Sequence, residues 1–312
     1  MMTPDIEQLN KQFSIQNADQ SLQFTSGVGG VPMIEIQNSQ ATARISLQGA
    51  HVLSWVPTGE DDVIWLSEDA TFAPGKSVRG GIPICWPWFG PHESNAAFPA
   101  HGFARTVLWQ VVDAQALAAG ETQITFRLDT HKLDASLISK NNQHMWPSAT
   151  IAEYRLTIGK ALTMELVTLN QSDQPITIGQ ALHTYFSVND VTHTLVHGLD
   201  GKEYVDKTDD MKRKQQKGAV DISSEVDRVY LDTPEDTVID DKKRKITIKK
   251  EGSHTTVVWN PWEAVAEKMG DLGKEGYLKM LCVESANALN DTVRINPGDK
   301  HTLRVIYAVE GK

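Results

Sequence analysis

Along most of this chain apolar and polar side chains alternate one for one. Residues 43–47 (Ala-Arg-Ile-Ser-Leu) and 122–128 (Thr-Gln-Ile-Thr-Phe-Arg-Leu) show it plainly, and 149–158, 162–169, 176–178, 245–249 and 302–307 repeat it. A period of two puts successive side chains on opposite faces of a strand, and these runs are rich in β-branched residues. Turn formers bound them, as in Asn170 to Pro175 and Asn296-Pro-Gly-Asp299. Helical spacing is confined to residues 4–13 and to 263–269, the latter behind Asn260-Pro261. The expectation is an all-β fold of roughly twenty short strands, more than an immunoglobulin-sized sandwich uses. No Pro/Ser-rich linker, repeat or low-complexity tract divides the chain. Residues 1–312 are therefore expected to form one domain of two large, mainly antiparallel sheets stacked face to face.

The alternation fails between Arg79 and Arg105. Gly80, Gly81, Pro83, Pro87, Gly90 and Pro91 leave no room for a helix or a long central strand. Yet Ile82, Ile84, Trp86, Trp88 and Phe89 make the stretch too apolar for a solvated linker. Two readings stay open: the wall of a polar pocket, or a packed turn whose arginines form surface ion pairs.

Composition narrows the partners. The 312 residues include 8 Trp, 8 Phe and 6 Tyr, enough for a substantial core. The 2 cysteines, Cys85 and Cys282, give no disulfide framework and fit a reducing compartment. No secretory signal opens the chain and no run is long enough to span a bilayer, so a cytoplasmic protein without a membrane partner is expected. A net charge of −10 argues against nucleic acid as a partner. Two basic runs, 212–217 and 242–250, each follow a pair of aspartates, and read as a solvated loop and a charged edge strand.

Several side chains could carry chemistry. Arg79 and Arg105 flank the aromatic loop, and each offers a planar fork of donors suited to an anion, or to an ordinary ion pair. His101 precedes Gly102, in a position to contact a sugar hydroxyl or to fasten a turn. Trp86 and Trp88 alternate with proline; one is expected to stack on a ligand and the other to pack in the core. His183 sits in a strand-like apolar run, either a satisfied core histidine or a proton donor near neutrality. Glu284 closes an apolar strand, where it meets an arginine or serves in a site, and Cys282 shares its face. Asp227 is placed to grip hydroxyls, cap a turn or pair with Arg228. His193 and His197 stand four apart in a run that reads as strand, with no third ligand, so no metal is expected.

Taken in order, Arg79-Gly-Gly-Ile-Pro, Trp86-Pro-Trp-Phe-Gly90, Ala100-His-Gly-Phe-Ala-Arg105, Leu182-His-Thr-Tyr-Phe186, Val226-Asp-Arg-Val-Tyr230 and Val283-Glu-Ser285 resemble the hexose-6-phosphate mutarotases, or glucose-6-phosphate 1-epimerases. These form the YeaD-like branch of the aldose 1-epimerase superfamily. The resemblance covers nearly the whole chain and implies a galactose-mutarotase-like supersandwich. It implies His183 as general acid and Glu284 as general base, Arg79 and Arg105 for the phosphorylated sugar, His101 in the pocket and Asp227 on the sugar hydroxyls. It implies a phosphorylated hexose as the small-molecule partner, no cofactor, and a monomer. Ala100 stands where some relatives carry glutamine, a departure that bears on substrate preference. A non-catalytic sugar-phosphate sensor and an epimerase of neutral aldoses remain as alternatives.

Overall fold

Three large sheets, rather than two, carry the fold in a computed structural model that describes residues 4–141 and 143–311. Alternation marks which face of a strand is apolar; it does not say which strand lies beside it. Five strands near the N-terminus form a meander from Ile15–Gln16 to His51–Pro57. A nine-stranded sheet has Lys300–Gly311 at its middle, between Ala161–Asn170 and Arg244–Glu251. The third sheet contains β1 (Ile84–Cys85), β2 (Gln180–Leu182), β3 (Tyr185–Ser187), β4 (Glu203–Asp206), β5 (Lys212–Gln215), β6 (Val226–Tyr230), β7 (Thr255–Asn260) and β8 (Met280–Asn287). Its order is β5-β4-β6-β7-β8-β2-β1, with β3 also paired to β8.

The two basic runs exchange their expected places. Lys212–Gln215 is the edge strand β5, and Arg244–Glu251 lies inside the nine-stranded sheet. In that inner strand Arg244, Ile246 and Ile248 are buried while Lys245 and Lys249 face solvent. Its lysines mark one exposed face of a fully paired strand, a pattern that resembles edge protection in sequence alone.

Helices are few. In α1 (Ile6–Phe13) the Asp5 side chain accepts from the Glu7 and Gln8 amides, satisfying donors that a helix start leaves open. In α2 (Trp262–Met269) the chain is released by Gly270 at φ 71°.

Inward faces build one main core. Leu162, Met164 and Leu166 meet Trp55, Trp86, Phe126, Tyr154 and Tyr307 there, each large apolar side chain contributing about 1.5–3 kcal/mol by burial. Polar tips are paired: Trp55 Nε1 donates to the Gly159 carbonyl (3.1 Å) and Trp86 Nε1 to Thr168 Oγ1 (3.0 Å). Trp88 packs in the same core against Phe103 and Phe98. Both tryptophans are therefore core residues, and neither lines the pocket described below. With Pro87 between them their rings follow the loop inward, where apolar burial outweighs stacking on a ligand.

Candidate active site

Strand register assembles the site on one face of the third sheet. Asp227 pairs with Trp259, Trp259 with Cys282, and Cys282 with Tyr185, which makes one row of side chains across four strands. Glu284 lies two residues from Cys282 and so points the same way. Leu182 pairs with Ser285 and Tyr185 with Cys282, so the register sets His183 opposite Glu284. There β2 ends and β3 has not begun; the His183 amide donates instead to the Pro83 carbonyl (3.0 Å). Thr184 Oγ1 meets the Tyr307 hydroxyl at 2.6 Å, which fastens this break to the nine-stranded sheet. The result is a separation of 3.4 Å between His183 Nε2 and Glu284 Oε1.

The irregular stretch forms the opposite wall. His101 takes φ 67° and Gly102 φ 71°. A side chain on Gly102 would collide with the Trp86 backbone carbonyl, so the close crossing there requires glycine. The Gly90 amide donates to His101 Nδ1 (3.3 Å), which leaves the neutral ring its proton on Nε2. Phe89 stands edge-on to His101 at 4.9 Å, and Tyr185 stacks on His183 at 5.1 Å.

These walls enclose a cavity of about 270 Å³ lined by Arg79, His101, Arg105, His183, Asp227 and Glu284, together with Phe89, Tyr185, Lys207, Trp259, Met269 and Asp271. All six residues picked out in the sequence thus face one space. A larger cleft of about 520 Å³ runs beside α1, but no histidine or cysteine lines it. The polar cavity is the better reactive site despite its size.

The cations in the cavity differ in what holds them. Arg79 Nε bonds Asp271 Oδ1 (2.9 Å) and its Nη1 donates to the Tyr185 hydroxyl (3.0 Å). Lys207 Nζ bonds Asp227 Oδ2 at 2.6 Å. Among the described residues, Arg105 donates a hydrogen bond from Nη2 to the Ala100 carbonyl (3.0 Å) and to no carboxylate. It is thus the least neutralised of the three.

Burial sets the protonation of the rest. Desolvation, with help from Arg105 and Lys207, lowers His101 to about 3. Desolvation likewise holds His183 well below its ordinary value, reinforced by His101, Arg105 and Arg79. Desolvation and then the Asp227 charge push Glu284 well above the usual carboxylate range, against Lys207 and Arg105. These opposite shifts favour placing the shared proton on the Glu284 carboxyl. Both histidines are neutral, and three cations face the carboxyl groups of Asp227 and Asp271. The cavity is net positive inside a chain of charge −10.

Several details differ from the sequence reading. Glu284 lies within β8 rather than at its end, and Asp227 lies within β6 and pairs with Lys207, not Arg228. Lys207, Asp271 and Trp259 were not singled out by the sequence. Lys207 stands in Asp206-Lys-Thr-Asp-Asp210, which reads like any charged turn. Tyr185 was visible inside the Leu-His-Thr-Tyr-Phe motif without an assigned task. Among the described residues, the one group of His, Cys, Asp or Glu side chains close enough to share an ion is His183, Cys282 and Glu284.

A profile of the aldose 1-epimerase family matches residues 32–308. The chain belongs to the aldose 1-epimerase family. A family member from Escherichia coli K12, provisionally named glucose-6-phosphate 1-epimerase, is 34% identical over 91% of this chain and 90% of its own length. A protein of Cenchrus ciliaris with the same provisional name is 34% identical over 84% of this chain and 80% of its own. The crystal structure of YeaD from Salmonella typhimurium, provisionally assigned as a mutarotase, superposes with a TM-score of 0.83 at 30% identity, covering 98% of this chain and 99% of that one. The galactose-mutarotase-like architecture expected from the sequence motifs is the one observed.

Proposed function

We propose that this epimerase interconverts the α and β anomers of a hexose 6-phosphate, with glucose 6-phosphate the expected substrate. Family membership and relatives named for that reaction support an isomerase of anomers. The observation that carries the phosphorylated substrate is the net positive cavity in which Arg105 has no carboxylate partner among the described residues. A phosphoryl group matches its donor fork.

Exchange at C1 requires a proton on the ring oxygen and the loss of one from the C1 hydroxyl. The C1–O5 bond then breaks, the C1–C2 bond turns, and closure on the other carbonyl face gives the second anomer. In our assignment His183 delivers the first proton and Glu284 takes the second; closure reverses both transfers. The pair starts and ends with one proton, so no water or redox partner enters. Since Arg105 and Arg79 help to hold the His183 pKa down, a phosphate beside them offsets that field and favours moving the proton from Glu284 to His183. The anionic substrate would then prime its own acid. Asp227 and His101 Nε2–H are the candidates for holding sugar hydroxyls, and Arg79 and Arg105 for fixing the phosphate while the C1 end rotates.

Two free, buried cysteines support a reducing compartment such as the cytoplasm. No helix among the described residues is long and apolar enough to cross a membrane. The test of the substrate is NMR exchange between anomers with glucose 6-phosphate and with glucose. Faster exchange of the phosphorylated sugar supports the proposal, and equal rates point to an epimerase of neutral aldoses.

A further inference from the structure

We propose that His183, Cys282 and Glu284 form an inhibitory binding site for zinc or a similarly thiophilic divalent cation, reached through the cavity. Proton exchange at C1 gives Cys282 no task, yet its Sγ lies within 4.8 Å of a His183 ring nitrogen and a Glu284 oxygen. The strand pleat puts Cys282 and Glu284 on one face of β8, and the register sets His183 opposite.

The spacing suits a tetrahedral ion. With metal–nitrogen and metal–oxygen bonds near 2.1 Å, those two ligand atoms stand about 3.4 Å apart, and a sulfur bonded at about 2.3 Å lies about 3.6 Å from each. His183 Nε2 and Glu284 Oε1 are already 3.4 Å apart. From a separation within 4.8 Å, the sulfur needs to close by at most about 1.2 Å on either atom to complete the set. Two buried atoms of the same residues, Glu284 Oε2 and His183 Nδ1, have no hydrogen-bond partner among the described residues. A carboxyl oxygen without a protein partner, at a side chain only 1% exposed, is free to turn toward an ion.

Charge balance favours a divalent cation over a monovalent one. A thiolate, a carboxylate and a neutral imidazole around a 2+ ion sum to zero, which a buried position tolerates beside Arg79 and Arg105. Binding releases the thiol proton and the carboxyl proton to solvent, and the metal sheds waters in exchange; no electrons move. A fourth position stays open toward the cavity, as in three-ligand zinc sites. The ion would occupy the His183 lone pair and the Glu284 carboxylate together, and so stop proton transfer at C1. The site depends on these three side chains alone, whatever sugar the cavity takes.

Cobalt(II) alone is the probe, because a thiolate ligand gives it a charge-transfer band and tetrahedral geometry gives it intense visible absorption. The full-length protein is titrated with cobalt and then zinc, with calorimetry for zinc affinity. The expected results are one ion per chain, a thiolate band displaced by zinc, and loss of that band in both Cys282→Ser and Cys282→Ala. Zinc affinity should fall by roughly tenfold or more in both variants, while Cys85→Ser keeps the band. Anomer exchange by the Cys282 variants should resist zinc that silences the parent protein. Absence of a thiolate band in the parent protein, unchanged zinc affinity in both Cys282 variants, or a band lost with Cys85→Ser would overturn the assignment. Metal binding is read without any sugar, so its failure is separable from failure of the hexose-phosphate reading.

Discussion

His183 Nε2 and Glu284 Oε1 stand 3.4 Å apart at the floor of a positive cavity, joined by strand register rather than by nearness in the chain. Burial drives one group down and the other up, so both ends of the pair favour the uncharged form and one proton serves both. Activity should follow a bell in pH, with an acid limb where the pair takes a second proton and an alkaline limb where it loses its only one. The Asp227 charge is one cause of the raised Glu284 value. In Asp227→Asn that cause is gone and Lys207 is released toward Glu284, so the alkaline limb of kcat should move to lower pH. Stopped-flow polarimetry across pH reads the shift; an unmoved limb would deny the coupling.

Arg105 is expected to recognise the phosphate. Arg105→Ala should raise KM for glucose 6-phosphate by about 10–100-fold, the worth of a charge-assisted bond, and raise KM for neutral glucose far less. Inorganic phosphite added with neutral glucose should accelerate anomer exchange in the parent protein and not in Arg105→Ala. A parent protein indifferent to phosphite would separate phosphate binding from placement of the His183 proton.

His51 predicts the acid sensitivity of the fold. Burial lowers its pKa from 6.5 to about 4, while its Nε2–H donates to the Gly80 carbonyl at 2.9 Å. The unfolded chain takes up this proton near pH 6.5 and the native protein does so only near 4, so stability is lost as pH falls. Between pH 7 and 5 the loss through this residue is about 2 kcal/mol. In urea melts at both pH values, His51→Gln should lose about that much less than the parent protein. An identical pH loss in the two would contradict the linkage.

Gly102 is expected to be far more sensitive than an ordinary positive-φ glycine. Its alanine would meet the Trp86 carbonyl, whereas Gly298, at φ 78°, has open space where a Cβ would go. Gly102→Ala should cost more than about 2 kcal/mol and Gly298→Ala about 1 kcal/mol. Thermal melts of the two variants distinguish steric conflict from backbone strain alone.

How much of this was legible in the sequence differs by residue. Alternation located the strands, since a period of two is a local property, but it could not say that Arg244–Glu251 is an inner strand and Lys212–Gln215 an edge. His183 and Glu284 were found through their motifs, and all six expected side chains line the cavity. Lys207 and Asp271 were missed because a charged residue in a polar turn looks the same whether or not the fold bends it toward a site. Trp86 and Trp88 look exposed to a ligand in a proline-rich loop, yet the core takes both.

Two-dimensional NMR exchange between the α and β anomers of glucose 6-phosphate tests the proton-exchanging pair most directly. With Glu284→Gln, shown folded by its melt, enzyme-catalysed exchange should fall by about 10²–10⁴-fold, and likewise with His183→Ala. Exchange at the parent rate in either folded variant would contradict the account.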